Sequence, residues 1–224
     1  MMKACIFDLD GTLTDTIESL TYSVRETLKA MGLSAITREQ CQSFVGNGAK
    51  VLLEKSIRAA GDLEGARIHE AMEIYGRIFD ENCTYHVTPY TGVVELLKEL
   101  NGRGVKLAVL SNKPHLQTVK VVEEIFGRDI FDVVQGQQEG IPRKPSPEGI
   151  YAILEKLGTT KEKCLYVGDS EVDIATGRNA AIKTVSVTWG FRTEEELKAS
   201  GAACLIRRPE ELLELPADAG HGYL

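Results

Sequence analysis

After one lysine the chain opens on a short apolar run, Lys3-Ala-Cys-Ile-Phe7, with the length and make-up of a buried strand. Leu20, Val24, Leu28 and Met31 then recur at helical spacing, and Gly32 is placed to end that helix. Thr37 and Gln40 have capping-box spacing and predict a second, short helix. Val45-Gly46-Asn47-Gly48-Ala49-Lys50 reads as a glycine-flanked turn. A third helix is predicted from about Lys50 to Ala60, stopped by Gly61, and a fourth from about Leu63 to Asn82. Ile68, Met72, Tyr75 and Phe79 are expected on one face of the fourth helix. Residues 16–85 therefore read as all helix, inserted after a single strand.

From Thr88-Pro89-Tyr90-Thr91-Gly92 onward the pattern alternates. A helix over Val93–Leu100 leads to a strand over Val105–Leu110, with Ser111-Asn112-Lys113-Pro114 as its exit loop. A helix to about Phe126, a strand over Phe131–Val134 and a long loop over Gly136–Pro147 follow. Next come a helix over Glu148–Leu157, a strand over Cys164–Val167, the exit loop Gly168-Asp169-Ser170 and a helix holding Asp173. Thr184–Val187 and Ala203–Ile206 are the last predicted strands. Such alternation implies a parallel sheet with helices on both faces. The expected fold class is α/β: a Rossmann-like parallel sheet built from residues 1–15 and 86–224, with residues 16–85 as an inserted α-helical cap domain. The tail, Ala217–Leu224, is small and polar and is expected to fray, with His221 exposed in it.

Composition narrows the function classes. Lys plus Arg is 26 and Asp plus Glu is 33, so the net charge of −7 disfavours nonspecific binding to nucleic acid or anionic membrane. Cys5, Cys41, Cys83, Cys164 and Cys204 are scattered, and none forms a C-x-x-C pair. This argues against a disulfide framework or structural metal and for a reducing, cytoplasmic setting. Met1-Met2-Lys3 runs straight into the first strand, which leaves no room for a signal peptide. No apolar run reaches the length of a membrane span. Oligomeric state is not addressed by the sequence.

The candidate chemistry sits where the first strand should end, in Asp8-Leu9-Asp10-Gly11-Thr12-Leu13-Thr14-Asp15. Alternate side chains of an extended chain point the same way, so Asp8 and Asp10 can converge on one small volume. Two like charges that close need a neutraliser, and Mg2+ is typically held by one or two carboxylates plus substrate phosphate. Ligands of parallel sheets bind at the carboxyl ends of the strands. Asp8/Asp10, Ser111/Asn112 and Asp169/Asp173 all fall at that edge, and Lys144-Pro145 ends the long loop. Each cluster alone has a plain reading as turn, cap or surface; their shared edge is what calls for a cause.

These four clusters, in this order and these strand contexts, resemble the motifs of the haloacid dehalogenase (HAD) superfamily phosphatases that carry an inserted helical cap. The resemblance spans nearly the whole chain to about Glu214. It implies Asp8 as nucleophile and Asp10 as the acid and base that serves the leaving oxygen and then water. It further implies Mg2+ on the Asp8 carboxylate, the Asp10 backbone carbonyl and the Asp169 carboxylate, with Asp173 orienting Lys144 or a metal-bound water. Ser111 would hydrogen-bond the phosphoryl group with help from Asn112 and Thr12, and Lys144 would offset its charge. An acid at position 10 departs from the carbon-attacking dehalogenases, which need no metal. Asp8–Asp15 together with Val45–Lys50 resemble bacterial phosphoglycolate phosphatases, which implies 2-phosphoglycolate as substrate. Gly46, Asn47, Gly48 and Lys50 would then contact it, the cap swinging on hinges near Thr14–Thr16 and Thr84–Pro89. A pyrophosphatase, a sugar-phosphate phosphatase, a phosphohexomutase and a noncatalytic phosphate-binding protein are the alternatives.

Overall fold

The computed structural model describes residues 2–64 and 66–215; the tail over 217–224, with His221, lies outside them. Its centre is β1 (Ala4–Phe7), in which all four residues are buried. Pleating sends them to opposite faces. Cys5 and Phe7 join a cluster with Leu107, Val109 and Val167, while Ala4 and Ile6 join one with Ala108, Leu110 and Tyr166. A strand buried on both faces needs an unbroken apolar run, which explains why this one does not alternate.

In chain order, β2 (Thr14–Asp15) is followed by α1 (Ile17–Ala30), α2 (Arg38–Phe44), α3 (Gly48–Ala59) and α4 (Ile68–Asn82). Then come β3 (Thr88–Pro89), α5 (Val93–Gly102), β4 (Lys106–Pro114), α6 (His115–Phe126) and β5 (Val133–Gln137). The chain continues through α7 (Glu148–Leu157), β6 (Cys164–Gly168), α8 (Glu171–Ala180), β7 (Lys183–Val187), α9 (Glu194–Ala199) and β8 (Leu205–Ile206). Six strands form one sheet in the order β5-β4-β1-β6-β7-β8, every pairing parallel. Leu96, Leu97 and Leu100 of α5 and Val121 and Val122 of α6 belong to the cluster of the Cys5–Phe7 face. Ile150, Ile153, Leu154 and Leu157 of α7 belong to the cluster of the other. No described helix is long and apolar enough to cross a membrane.

Residues 16–85 are helical apart from their connections. α1 packs on α4 and α2, and α3 packs on α2 and α4 while also reaching β4 of the sheet. The capping box of α2 is present: Thr37 accepts from the Gln40 N–H, and Gln40 accepts from the Thr37 N–H. The two connectors between helices and sheet are not loose. β2 pairs antiparallel with β3, Asp15 opposite Thr88, so both crossings form one narrow ribbon.

Several elements differ from the sequence reading. α3 starts at Gly48 rather than Lys50, and α4 at Ile68 rather than Leu63. Gly61, with its φ of 108°, and Leu63, Glu64, Ala66 and Arg67 are in turns instead. The buried face of α4 is Ala71, Tyr75 and Phe79, whereas Met72 is exposed. At about 100° per residue Met72 lies close to Phe79 but about 60° from Tyr75, on the side away from Ala71, so with the buried stripe centred on Tyr75 it falls at the edge. Ser111–Pro114 continue β4 across a register irregularity, because Pro114 still pairs with Gln137 of β5. For the same reason Gly136 and Gln137 are strand rather than loop. Helix α9 and the β2–β3 ribbon have no counterpart in the apolar pattern, being six and two residues long.

The reassigned face of α4 is open to test. Urea unfolding of Tyr75→Ala should show a loss of about 3–5 kcal/mol, as for a buried aromatic. Met72→Lys should stay within about 0.5 kcal/mol of the parent. Equal losses for the two would restore the original face.

Candidate active site

The four acidic motif residues reach the same sheet edge from two neighbouring strands, Asp8 and Asp10 after β1 and Asp169 and Asp173 after β6. Asp8 follows β1, its N–H bonded to the Val167 carbonyl at 2.8 Å, and Asp169 follows β6. Gly11 turns the chain away with φ of 90°, and a Cβ there would overlap the Asp169 carboxylate. Acceptor oxygens of Asp8, Asp169 and Asp173 lie within 4.8 Å of one another, all three residues buried. Carboxyl oxygens are hard ligands, so this cluster is chemically suited to a hard divalent cation.

Lys144 lies against this cluster. Its ammonium is 2.8 Å from Asp8 Oδ1 and 2.8 Å from Asp173 Oδ1. Asp173 is fixed further by the Tyr166 hydroxyl at 2.5 Å and the Ser170 hydroxyl at 2.6 Å, both donating to it. These bonds set how charge is divided. Burial raises the Asp173 carboxyl, but the adjacent Lys144 charge and the donated hydrogen bonds outweigh it and hold it below the ordinary value. Burial pulls Lys144 down, yet the charges of Asp173 and Asp8 keep it above the usual lysine range. Asp8 goes the other way: burial lifts it well above a free carboxyl, with Lys144 only partly opposing. Asp169 is pushed up to about 7, first by burial and then by the charge of Asp173. The cluster is thus short of positive charge.

Asp169 is held from the far side by a segment the sequence pattern did not single out. The Phe191 N–H donates to its Oδ2 at 2.7 Å, and the Thr12 hydroxyl to its Oδ1 at 3.2 Å. Trp189 Nε1 donates to the Thr12 carbonyl at 3.0 Å. Thr12, expected to touch substrate, does not line the cavity beside the cluster, and its hydroxyl is given to Asp169. Arg192 pairs with Glu171 at 2.9 Å and donates to the carbonyls of Gln42 at 3.3 Å and Val45 at 2.8 Å, tying the helical block to the sheet.

A cavity with a water-accessible volume of about 40 Å³ lies between sheet edge and helices. Its sheet side holds Asp8, Asp10, Ser111, Asn112, Lys113 and Lys144; its helical side includes Gly46, Gly48, Leu52, Tyr75 and Phe79. One water needs about 10–15 Å³ by this measure, so the space suits a small molecule. Ser111 and Gly48 meet it as expected. Asn112 meets it too, but its side-chain amide donates to the carbonyls of Gly46 at 3.0 Å and Lys144 at 3.1 Å and accepts from the Lys144 N–H at 2.9 Å. It works as a joint between three segments. Asn47 and Lys50 do not line the cavity; the Lys50 side chain is 63% exposed and 3.8 Å from Glu54. A position one turn into α3 carries that lysine to the outer face.

The sequence pattern places Lys113 only in an exit loop. Its ammonium is 2.6 Å from Asp10 Oδ1 and 5.1 Å from the centre of the Phe79 ring. The extension of β4 to Pro114 is what buries it, and a lysine after Ser-Asn gives no such signal in the sequence.

This arrangement brings together the carboxylates of Asp8 and Asp10, a hydroxyl, and two buried ammonium groups on one cavity wall. Phosphoryl transfer calls for that set. Comparison with known proteins agrees. Residues 5–187 match the family model of haloacid dehalogenase-like hydrolases. A phosphoglycolate phosphatase of Aquifex aeolicus is 32% identical, the match covering 96% of each chain. One from Pectobacterium atrosepticum is 30% identical over 96% of this chain and 92% of its own. A solved structure from Haemophilus somnus, described as a predicted phosphoglycolate phosphatase, is 26% identical with a TM-score of 0.88, covering 95% of this chain and 97% of that one. With a family match across most of its length and the motif residues gathered at one sheet edge, the chain belongs to the haloacid dehalogenase-like hydrolases and is a phosphatase.

Proposed function

We propose that the chain is a Mg2+-dependent phosphatase acting on 2-phosphoglycolate through an aspartyl phosphate, with residues 16–85 as a cap over the core of 1–15 and 86–224. The observation that carries this reading is the small cavity that has Asp8, Asp10, Ser111 and Lys144 on one wall and the helical block on the other. Named relatives about 30% identical over nearly the full chain supply the substrate.

Asp8 attacks phosphorus. The Leu9 N–H at 2.7 Å and Lys144 both reach its Oδ1, which leaves Oδ2 without a protein donor among the described residues. The P–O bond to the leaving group breaks as the Asp8–phosphorus bond forms, and Asp10 gives its proton to the departing oxygen. Asp10 then takes a proton from water, which attacks the aspartyl phosphate and frees phosphate and Asp8. Ser111 hydrogen-bonds the phosphoryl oxygens, and Lys144 offsets their charge. Asp173 keeps Lys144 ionised and aimed at Asp8. Asp8, the Asp10 backbone carbonyl and Asp169 would hold the Mg2+. When bound, the ion supplies the positive charge that the carboxylate cluster lacks, reducing repulsion between nucleophile and substrate dianion. The apolar helical wall excludes water from the reacting centre.

A substrate panel tests the assignment. With Mg2+, phosphate release should be fastest from 2-phosphoglycolate, slower from hexose phosphates and pyrophosphate, and lost in EDTA. Faster turnover of pyrophosphate, or release unchanged in EDTA, would overturn the substrate or the metal respectively.

The raised Asp169 carboxyl adds a pH dependence. In the metal-free protein its ionisation costs stability; the cost is absent below the ordinary carboxylate value near 4 and grows as pH rises to about 7. A proton on Asp169 also competes with a cation. Mg2+ should therefore raise the melting temperature more at about pH 8 than at about pH 5.5. An equal rise at both pH values would contradict Asp169 as a ligand.

A further inference from the structure

We propose that Lys113 determines specificity by receiving the carboxylate carried on the leaving group. The inference rests on the preceding reading of the substrate and deepens it.

The cavity wall holds two buried ammonium groups with different commitments. Lys144 is shared between Asp8 and Asp173. Lys113 has a single ion-pair partner among the described residues, Asp10, and its side chain is 2% exposed. An ammonium carries three N–H donors. Taking a lysine out of water costs several kcal/mol, and one carboxylate recovers this fully only if the remaining donors are also satisfied. The Phe79 ring 5.1 Å away offers one weak partner. Lys113 thus brings unused donor capacity to the wall of the cavity.

Position follows from Asp10. In the proposed reaction Asp10 serves the ester oxygen, and Lys113 touches Asp10. The carboxyl carbon of 2-phosphoglycolate is the second atom beyond that oxygen, so the carboxylate falls beside Lys113 once the phosphoryl group is seated at Asp8, Ser111 and Lys144. Leu20, Leu52 and Phe79 on the helical side accommodate the methylene but offer no partner for charge. The two anionic ends of the substrate are thereby sorted, phosphoryl to Lys144 and carboxylate to Lys113.

Other cations are engaged or outside. Lys50 pairs with Glu54 on the outer face. Arg192 is occupied by Glu171 and two carbonyls. Arg143 is exposed and approaches Gly48 without lining the cavity. Arg143 is the nearest rival as a carboxylate receptor.

The test compares kcat/KM with Mg2+ for 2-phosphoglycolate and 2-hydroxyethyl phosphate, which replaces the carboxylate with a neutral CH2OH. The parent should prefer 2-phosphoglycolate. Lys113→Met should lose about 100-fold on 2-phosphoglycolate and about tenfold or less on the neutral ester, collapsing the preference. Arg143→Met should keep it. If circular dichroism finds Lys113→Met unfolded, Lys113→Gln, which keeps a donor to Asp10 without charge, gives the same comparison. A Lys113 variant that slows both substrates alike, keeping the preference, overturns the proposal while leaving the substrate assignment intact. So does collapse of the preference in Arg143→Met alone. A parent with no preference overturns both readings at once.

Discussion

Four carboxylates crowd the carboxyl edge of one sheet, and the structure depends on what keeps them from repelling one another. Lys144 is the central answer: one buried ammonium, 2.8 Å from Asp8 and from Asp173. Lys113 gives Asp10 a separate partner at 2.6 Å. Buried ion pairs of this kind add little to stability, since replacing one by well-packed apolar side chains is often neutral or favourable by about 1–4 kcal/mol. Their presence is better explained by chemistry. The pairs hold charges in water-poor surroundings where their interactions with a phosphoryl group are strong.

That constraint explains the scaffold around it. Asp8 and Asp169 must come from neighbouring strands, and β1 and β6 pair directly, Phe7 opposite Val167. Asp169 is then wedged between Gly11 and Gly190, where any Cβ would overlap it. Asn112 joins Gly46 of the helical block to the backbone of Lys144, so the helices and that lysine share one point of attachment. Arg192 makes a second tie, from Glu171 to the end of α2. Holding the helical block over the sheet edge and positioning Lys144 are parts of the same set of contacts.

The fold was largely legible because its signals are local. Apolar runs too short for helices, each ending in Asp, Ser or Gly, marked β1, β4 and β6, and the motif spacing carried Asp8, Asp10, Ser111, Lys144, Asp169 and Asp173 to one edge. What escaped was non-local. Nothing beside Lys113 says that β4 continues past Leu110, because pairing with β5 decides it. Trp189, Phe191 and Arg192 follow β7 without an apolar period, and only tertiary placement sets them against Asp169 and α2. Lys50 failed differently: helix α3 begins two residues earlier than its glycines imply, and the lysine turns outward. A glycine-flanked turn fixes where a helix can start, not which side chain faces the sheet.

The account stands on Asp8 as the group that takes the phosphoryl. Mass spectrometry of protein quenched in acid during a single turnover with Mg2+ and 2-phosphoglycolate addresses it directly. The account predicts one phosphoryl group on Asp8, prolonged in Asp10→Asn and absent in Asp8→Asn. Complete release of phosphate in one turnover, with no protein-bound phosphoryl at any quench time in either the parent or Asp10→Asn, would contradict it.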